Sequence, residues 1–593
     1  MTKDAVSIRI IKNSLDNIAK EMFWATVRTA KSSIIYETYD FAPALTNAKG
    51  DLISIGTGIP VFLGVMPIIA KAVMEDIEKY DLGLSPGDIF IINDPYRIST
   101  HLNDIALAMP IFYKEELIAV GTIRGHVNDV GGMNPGSWGP NATEIYQEGL
   151  IIPTSHFYRE GKLNKEVVRM ILQNTRIPDF VYGDLEALAA ALRYAYGRIN
   201  ELCDKYGVEL VREAMEDRIN DGRIIAKNRL KELTKGEFFA EERIEKYEGM
   251  EEDLRITARV KITDDKFIVD FTDNPLQVKA PINTTFAGIY TAVAAAFTAV
   301  TDPHVALNQG YLESIEVICS EGTLFNALPP APVSCYWETL FYAVDLIWKA
   351  LAPYFPHRFT AGHFLSVVSE TLSMIDPSDG QYKILCEPNP GGWGAGIDKD
   401  GESCLVAAAD GETYCHPVEV IERDYPIRVE CMRLNLEEGV GHGTHRGGFG
   451  MRKDYRILAD EANLVCSINR IKYPPWGVDG GEDGSCNHIV VIRDGKDIWD
   501  GGRASGFVVK KGDIVSIRSG GGGGWGEPLE RDPQLVLQDY KNGLISLHIA
   551  EHTYGVIITP SKPSVDLEAT KKLREEMRKE KEENPNSYRP ESL

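Results

Sequence analysis

The spacing of apolar residues predicts helices at the start of the chain and strands soon after. Ile11, Leu15, Ile18 and Met22 recur three or four residues apart, which places them on one face of a helix. Short apolar runs bounded by turn residues are typical of buried strands. The elements predicted in this part are helices over 5–32 and 65–80, followed by strands over 88–92, 105–112 and 117–123.

The middle of the chain changes from helical to alternating patterns. Ala and Leu repeat three and four residues apart over 164–232, which predicts a helical region. Over 253–272 apolar and polar residues alternate, which indicates a strand of an antiparallel sheet. The longest apolar stretch, 286–300, falls short of the roughly 20 residues that a transmembrane helix needs. We therefore interpret it as a buried helix.

Glycine and proline dominate 305–530 and separate short runs with strand character. Only 337–351 and part of 359–375 show helical spacing there. The charged segment 565–593 predicts an exposed helix that frays into coil.

These patterns favour an α+β fold class, because helical and strand-bearing regions follow one another in blocks. We expect a large multilayered body with a β-rich N-terminal part, an α-rich middle and a glycine-rich β C-terminal part. The expected divisions are an N-terminal region over 1–160, a helical region over 161–250, a mixed β-rich region over 251–530, and a C-terminal helix and tail over 531–593.

The composition argues against some partners. The 593 residues include 63 basic and 87 acidic side chains, giving a net charge of −24. Binding nucleic acid or an anionic membrane requires clustered Lys and Arg, and no such cluster precedes the tail, so neither is an expected partner. The N-terminus has no apolar signal segment, and the nine cysteines never form Cys-x-x-Cys. We expect a cytoplasmic protein with reduced thiols.

The strongest candidate chemistry is a repeated tetrapeptide. His101-Leu-Asn-Asp104 recurs as His126-Val-Asn-Asp129, in a chain with 12 histidines. Both copies lie at predicted strand ends, and His with carboxylate is a common ligand set for a catalytic divalent metal. Asn-Asp pairs also cap turns, and that reading is preferred for a single copy. The repeat and its oxygen-bearing neighbours favour a site for Zn, Mn or Fe.

Three other candidates have simpler structural readings. His442 and His445 lie in a glycine loop without nearby acidic or thiol partners, so a backbone role is favoured. The run Ser519-Gly-Gly-Gly-Gly-Gly-Trp-Gly526 lacks the Gly-Lys-Ser/Thr of a P-loop, and a tight β-turn against a sheet is expected. Adjacent Cys415 and His416 diverge on extended backbone and do not form a nucleophile–base pair.

Several of these motifs together resemble the hydantoinase B family, from about residue 5 to 530. The family includes the B components of ATP-dependent hydantoinases, 5-oxoprolinases and caprolactamase, and the large subunits of acetone and acetophenone carboxylases. The matching motifs are Asn93-Asp-Pro-Tyr, Thr100-His-Leu-Asn-Asp104, Gly125-His-Val-Asn-Asp-Val-Gly-Gly132, Gln147-Glu-Gly149, Pro329-Pro-Ala-Pro332, Arg446-Gly-Gly-Phe-Gly450 and Gly520–Gly526. The chain departs from the family pattern at His442, at His445 and at Cys415-His416-Pro417.

The resemblance implies specific roles for five residues. The family's metal ligands map onto His101, Asp104 and His126, and Asp40 matches a further acidic position at the site. Asp129 matches an acidic position beside the second histidine and is expected to support a ligand or to act as a base. Asp40 and Asp129 are thus the expected catalytic carboxylates.

The resemblance also implies an obligate partner. A hydantoinase A–type subunit with an actin-like ATPase fold is expected to bind ATP with Mg and to phosphorylate the substrate carbonyl, in an (AB)2 heterotetramer. The expected function is the metal-binding subunit of an ATP-dependent cyclic-amide hydrolase that opens a hydantoin, 5-oxoproline or lactam ring. A subunit of an ATP-dependent ketone carboxylase is the alternative, and a metal-free scaffold is the third hypothesis.

Overall fold

The computed structural model describes residues 4–98, 100–411 and 413–583 of the chain. Its N-terminal part is a seven-stranded antiparallel sheet in the order β2-β1-β5-β4-β3-β6-β7. The long hairpin of β4 and β5 lies at its centre and consists almost entirely of buried residues. The strands are β1 (Phe41–Asn47), β2 (Leu52–Ile55), β3 (Ile89–Ile92), β4 (Asp104–Tyr113), β5 (Glu116–His126), β6 (Ser155–Arg159) and β7 (Lys162–Leu163).

Helices cover this sheet and continue through the middle of the chain. Helix α6 packs on β4 and β5, where Gly121 and Gly125 of β5 leave room for Leu192 and Leu188 of the helix. The helices of the first 232 residues are α1 (Ala5–Thr29), α2 (Ser33–Tyr36), α3 (Pro60–Leu63), α4 (Met66–Lys79), α5 (Lys165–Gln173), α6 (Pro178–Tyr206) and α7 (Val208–Glu232).

A second sheet and three further helices follow. The sheet has the order β11-β10-β9-β8 and is antiparallel except for the pairing of β10 with β11. The next elements are β8 (Gly236–Ile244), β9 (Leu254–Ile262), β10 (Phe267–Asp270), α8 (Phe286–Thr301), α9 (Gln309–Leu312), β11 (Ile315–Ile318) and α10 (Trp337–Leu351).

The remaining strands form two antiparallel sheets, β13-β12-β16-β19 and β14-β15-β20-β17-β18. Their bounds are β12 (Glu370–Ile375), β13 (Tyr382–Glu387), β14 (Ile427–Asn435), β15 (Gly450–Ile457), β16 (Glu461–Ser467), β17 (His488–Arg493), β18 (Lys496–Gly501), β19 (Arg503–Lys510) and β20 (Ile514–Arg518). The other helices are α11 (Val418–Asp424), α12 (Pro533–Lys541), α13 (Leu547–His552) and α14 (Leu567–Glu583).

A bundle of extended glycine-rich segments lies beside these sheets. We call residues 391–396, 441–450, 477–484 and 520–524 the glycine bundle. Its segments pack backbone against backbone, as in the bonds from Gly392 N to Gly520 O and from Gly441 N to Gly522 O, both 2.9 Å. Segment 520–524 is extended and contains no turn, so the expected β-turn is wrong. The hydrogen bonds of this segment are made to other segments of the bundle and to neighbouring residues, as from Gly523 N to Gly362 O at 2.9 Å, and not within a turn.

The C-terminal helices form a small second core that docks on the glycine bundle. Buried apolar residues extend as one connected core from Ile8 to Trp525, while a separate cluster includes Val536, Ala550 and Tyr554. Among the described residues no helix is both long and apolar enough to cross a membrane.

The α+β class is confirmed, as are the main predicted elements of the first 351 residues. The pattern over 253–272 corresponds to two antiparallel strands, β9 and β10. The helix expected in part of 359–375 is wrong, because the chain there runs irregularly into β12. The tail helix is present and mostly exposed, and its expected fraying beyond residue 583 lies outside the described residues. The four expected domain divisions stay predictions.

Candidate metal centre

Three neighbouring strand ends bring the predicted site residues together. Asp104 begins β4 and is paired directly with His126, the last residue of β5. Asp40 immediately precedes β1, and its carbonyl accepts a 3.0 Å hydrogen bond from the backbone N–H of His126. His101 lies in the turn that leads into β4. The sheet order therefore places all four residues at one edge.

The side chains of His101, Asp104 and His126 converge on one point. His101 Nε2 lies 3.2 Å from His126 Nδ1 and 3.2 Å from Asp104 Oδ1, and the latter two atoms are 3.4 Å apart. Ligand atoms about 2.0–2.2 Å from a tetrahedral ion lie about 3.3–3.6 Å from one another. The three atoms thus have the mutual spacing of three ligands of one divalent ion.

A chain of hydrogen bonds fixes the ring of His101. Its Nδ1 lies 3.1 Å from the carbonyl oxygen of Ser334, so the Nδ1–H tautomer leaves the Nε2 lone pair directed at the convergence point. The backbone N–H groups of Val333 and Ser334 in turn each donate to Oε1 of Glu148 at 2.8 Å. Burial raises the pKa of Glu148 to about 8 against the lowering effect of these bonds. A residue from the first half thus holds a loop of the second half against the site.

Asp104 is oriented by a buried cation. Arg124 and the Thr100 hydroxyl both donate to Asp104 Oδ2, which leaves Oδ1 toward the two histidines. The Arg124 guanidinium lies over the Phe62 ring, 4.2 Å from its centroid, and is fully buried. Burial would raise the pKa of Asp104, but Arg124 and His101 hold it well below its usual range.

The donor set fits a divalent metal. Two imidazole nitrogens and one carboxylate oxygen are the ligands of open catalytic sites, in which a fourth position takes water or substrate. Asp40 Oδ2 is 4.0 Å from His126 Nδ1, near enough to serve as a further ligand or to bond to a group held there. His126 Nε2 is buried and has no hydrogen-bond partner in the described part of the chain.

The convergence point opens into a small cavity of about 50 Å³. Aromatic side chains form much of its wall, and His101 contacts two of them, with ring centroids 5.1 Å from Tyr336 and 5.8 Å from Trp337. Such walls exclude bulk water and strengthen electrostatic interactions inside. The aromatic residues that line it are Phe62, Trp138, Tyr336, Trp337 and Phe341.

Two further carboxyl groups, Asp40 and Asp410, line the cavity. Burial raises the pKa of Asp40 to about 7; His126 lowers it, and the charges of Asp104 and Asp410 raise it further. Burial likewise raises the pKa of Asp410 to about 7, against a hydrogen bond from Thr413 and with a contribution from Asp104. Carboxyl groups with pKa values near neutrality can exchange protons during catalysis.

Asp129 does not line the cavity. Its carboxylate accepts hydrogen bonds from the backbone N–H of Arg176 at 2.7 Å and from Arg176 Nη1 at 2.8 Å, and from Gly136 N at 3.1 Å. The group is fully buried in these contacts. The two Asp residues of the repeat therefore have different environments: Asp104 faces the convergence point and Asp129 ties a loop to the start of the helical region.

The asparagines of the repeat and the other histidine candidates have structural contacts. Asn103 Nδ2 donates to Val127 O at 2.9 Å, which ties the turn before β4 to the end of β5. His442 Nδ1 is joined to the Tyr554 hydroxyl by a 2.7 Å hydrogen bond, so it links the glycine bundle to the C-terminal helices. Among the described residues, the group that could hold a metal is His101, Asp104 and His126.

Sequence reasoning missed several residues of the site. Arg124 had a usable signal, because it lies two residues before His126 and alternation puts both on one face of β5. Ser334, Tyr336 and Asp410 had no such signal, since they reach the site from more than 200 residues away along the chain. Their contribution depends on long-range packing.

Comparison with known proteins assigns the chain to a class. The hydantoinase B/oxoprolinase family profile matches residues 4–528, and the chain belongs to this family. A protein of Pseudomonas sp. strain NS671, provisionally named as the B component of a D-/L-hydantoinase, is 32% identical over 96% of this chain and 98% of its own length. The expected family membership is confirmed.

Two solved structures share the fold. The ATP-dependent caprolactamase of Pseudomonas jessenii matches with a TM-score of 0.90 and 27% identity, over 97% of this chain and 100% of that chain. A nucleotide-free acetone carboxylase structure also gives 0.90, over 98% of this chain and 84% of that chain, at 20% identity, which shows a common fold alone.

Proposed function

We propose that this protein is the metal-binding catalytic subunit of an ATP-dependent cyclic-amide hydrolase. It would open a hydantoin, 5-oxoproline or lactam ring whose carbonyl has been phosphorylated by a hydantoinase A–type partner. The observation that carries this proposal is the convergence of His101 Nε2, His126 Nδ1 and Asp104 Oδ1 at 3.2–3.4 Å in an aromatic-walled cavity. The compartment proposed is the cytoplasm, in keeping with nine cysteines that form no disulfide among the described residues.

His101, Asp104 and His126 would hold the metal, with Asp40 as a further ligand or as the proton acceptor beside it. A bound Zn, Mn or Fe ion lowers the pKa of water and polarises a carbonyl oxygen. Arg124 keeps Asp104 ionised, and the hydrogen bond to the Ser334 carbonyl favours the His101 tautomer whose Nε2 lone pair faces the metal. Asp129 is a weaker candidate for the base than Asp40, because Arg176 already occupies its carboxylate.

The ATP chemistry belongs in this proposal to a second polypeptide. An amide carbonyl is a poor electrophile, and phosphorylation of its oxygen makes the carbon reactive. Two relatives, named as the B component of a hydantoinase and the beta component of caprolactamase, are each one chain of a larger enzyme and so support a partner chain here. We propose an A-type ATPase that binds ATP with Mg, in an (AB)2 heterotetramer.

A ketone carboxylase subunit is the alternative, since the acetone carboxylase fold is the same. The ligand triad serves either reaction. Hydrolysis is preferred because the hydantoinase relative, at 32% identity, and caprolactamase, at 28%, match this chain along nearly its whole length, whereas the carboxylase is 20% identical.

The test is reconstitution with an A-type partner, followed by measurement of ADP release. The substrates are hydantoins, 5-oxoproline, caprolactam, and acetone or acetophenone with labelled bicarbonate. We expect ADP release and ring opening with a cyclic amide, both lost in Asp104→Asn. Fixation of label into a ketone with no ring opening would favour the carboxylase, and ADP release stimulated by none of these compounds would contradict both enzyme functions.

A further inference from the structure

Asp410 is a carboxyl group of the cavity that comes from the second half of the chain, whereas His101, Asp104 and His126 come from the first. It lies between β13 and α11 and lines the same cavity as His101, Asp104 and His126. The residue is 9% exposed. A carboxyl group buried at a reactive cavity needs a reason, because burial without a partner is costly.

Hydrogen bonds hold Asp410 in one orientation. The Thr413 hydroxyl donates to Oδ2 at 2.9 Å, and the backbone N–H of Asp410 donates to Ala407 O at 2.9 Å. The loop is tied to the opposite chain half because the N–H of Val61, another cavity residue, donates to Ala409 O at 3.0 Å. The Thr413 hydroxyl thus contacts both the Asp410 backbone carbonyl and Oδ2, whereas Oδ1 has no hydrogen-bond partner among the described residues.

Asp410 stands apart from the candidate ligands. Asp40 lies 4.0 Å from His126 Nδ1, whereas no ion pair within 4.0 Å joins Asp410 to a histidine among the described residues. The charge of Asp410 nevertheless raises the pKa of Asp40, and the charge of Asp104 raises the pKa of Asp410. The three carboxyl groups are therefore close enough to interact electrostatically. The two cavity carboxyls are thus suited to different tasks.

Opening an amide ring requires two proton transfers. A proton must leave the attacking water, and another must reach the ring nitrogen as the C–N bond breaks, because an amide anion is a very poor leaving group. Asp40, beside the ligands, is placed for the first transfer. The second needs a protonated acid elsewhere in the cavity.

We propose that Asp410 is the catalytic residue that delivers the proton to the leaving ring nitrogen. The proposal rests on the proposed function. The water oxygen bonds to the activated carbonyl carbon, and its proton passes to Asp40. The C–N bond then breaks, its electron pair stays on nitrogen, and the proton of the Asp410 carboxyl passes to that nitrogen, which leaves Asp410 as a carboxylate. The hydroxyl left on the carbon loses its proton to solvent as the C=O bond re-forms. A second water then hydrolyses the resulting acyl phosphate to the product carboxylate and inorganic phosphate.

The electrostatics agree with this role. A pKa near 7, caused mainly by burial, keeps a large share of Asp410 protonated at neutral pH. A carboxyl with its ordinary pKa near 4 would be almost fully ionised and unable to donate.

The test compares two rings in the reconstituted complex. Caprolactam releases an alkylamine, a poor leaving group, whereas the ring nitrogen released from a hydantoin is stabilised by a neighbouring carbonyl. We expect Asp410→Asn to slow caprolactam opening about 100-fold or more, the range of general-acid catalysis, and hydantoin opening less than about 10-fold. Metal content by mass spectrometry should equal that of the wild type, and infrared spectra should lose one protonated-carboxyl band.

Two variants complete the design. Glu482→Gln removes another acid whose pKa burial raises to about 7, outside the cavity, and should leave both rates unchanged. Thr413→Val keeps the Asp410 carboxyl but removes the hydrogen bond to its Oδ2. It should therefore reduce the rate of ring opening less than Asp410→Asn does, with the same dependence on the leaving group. This variant also provides the test if Asp410→Asn does not fold.

The outcomes separate the two proposals. Four results for Asp410→Asn would each overturn the role of Asp410 and leave the proposed function standing. They are equal slowing of the opening of both rings, unimpaired lactam opening, loss of metal, and an unchanged infrared spectrum. A wild-type complex that opens neither ring contradicts the proposed function and overturns the proton-delivery role with it.

Discussion

At the scale of single residues, the site depends on which nitrogen of each histidine is available. The Ser334 carbonyl accepts from Nδ1 of His101, and the pairing of Asp104 with His126 directs Nδ1 of the second ring to the same point. Different nitrogens of the two rings are therefore used.

Removing one imidazole should remove the metal. His101→Ala is expected to lose bound metal almost completely, because the two remaining ligands of the triad hold an ion far more weakly. Metal content of purified protein, measured by inductively coupled plasma mass spectrometry, checks this. His357→Ala changes an exposed histidine and should keep the wild-type content. Equal metal in both variants would refute the assignment of the ligands.

Residue types in the sequence predicted that His101, Asp104 and His126 lie together but not what surrounds them. His101, Asp104 and His126 stand out as a repeat, so their convergence could be anticipated. The different place of Asp129 could not, because it depends on Arg176, which lies 47 positions away and is brought close by the start of the helical region. The repeated tetrapeptide does not indicate which of its two aspartates will form an ion pair with a distant arginine.

At the scale of elements, a buried ion pair joins β13 to β15. Lys453 Nζ lies 2.8 and 2.9 Å from the two carboxylate oxygens of Glu387, and both side chains are fully buried. Burial would raise the pKa of Glu387, but Lys453 and His416 lower it to about 2. Cys386, the neighbour of Glu387 on β13, lines the cavity, so the pair anchors a cavity wall.

The pair should make a pH-dependent contribution to stability. Glu387→Gln leaves Lys453 buried without its partner and should cost about 3–5 kcal/mol of unfolding free energy at neutral pH. The folded pKa is below the unfolded value of about 4.3. The wild-type advantage is therefore complete above about pH 4.3 and is lost as the pH falls toward about 2.

Urea unfolding of both proteins at pH 7, 5, 4 and 3 measures this difference. Arg428→Gln alters an exposed ion pair and should show little effect at any pH. A wild-type advantage that stays constant from pH 5 to pH 3 would contradict the lowered pKa of Glu387.

Elements with strong periodicity were predictable, and the exception has a physical cause. Segment 359–375 has apolar residues at helical spacing, yet Leu365 and Val368 adopt positive φ angles of 65° and 45°, which no right-handed helix allows. Phe364 and Leu365 are fully buried. The apolar spacing there reflects packing of an irregular segment against the cavity wall, and periodicity alone does not distinguish the two cases.

At the scale of the whole molecule, the glycine bundle is held together largely by contacts between backbone atoms. A Cβ at Gly522 would lie 2.1 Å from the carbonyl oxygen of Trp393, and one at Gly447 would lie 1.9 Å from the oxygen of Gly522. Backbone atoms cannot yield as a flexible side chain does. The region therefore needs its glycines because its backbone segments approach one another too closely for a Cβ atom. From the sequence, the same glycines indicate only a region rich in turns.

One added methyl group should destabilise this core strongly. Gly522→Ala is expected to lower the free energy of unfolding by about 3 kcal/mol or more, as overpacking against backbone does. Gly197→Ala is the matched control, because this helical glycine has no atom near its Cβ position and should gain about 0.5–1 kcal/mol. Urea denaturation of the two variants checks both signs. Similar stabilities would show that the bundle can relax.

The pairing of segments in the bundle, and of the two halves of the site, could not be predicted from the sequence. Ser334 and Asp410 reach the ligands across more than 200 residues, and no local pattern encodes such contacts. The strands that carry the ligands form one hairpin and were predictable for that reason.

This arrangement sets an order of events during synthesis. The β4–β5 hairpin and the turn before it carry both histidines and Asp104. They leave the ribosome roughly 200 residues before Ser334, which corresponds to about 10–40 s of translation. For that interval the three ligands face solvent on a nascent chain, and the walls that enclose them do not yet exist. Under the proposed function, an ion bound at this stage would be selected by the composition of the surrounding solution as well as by the closed cavity.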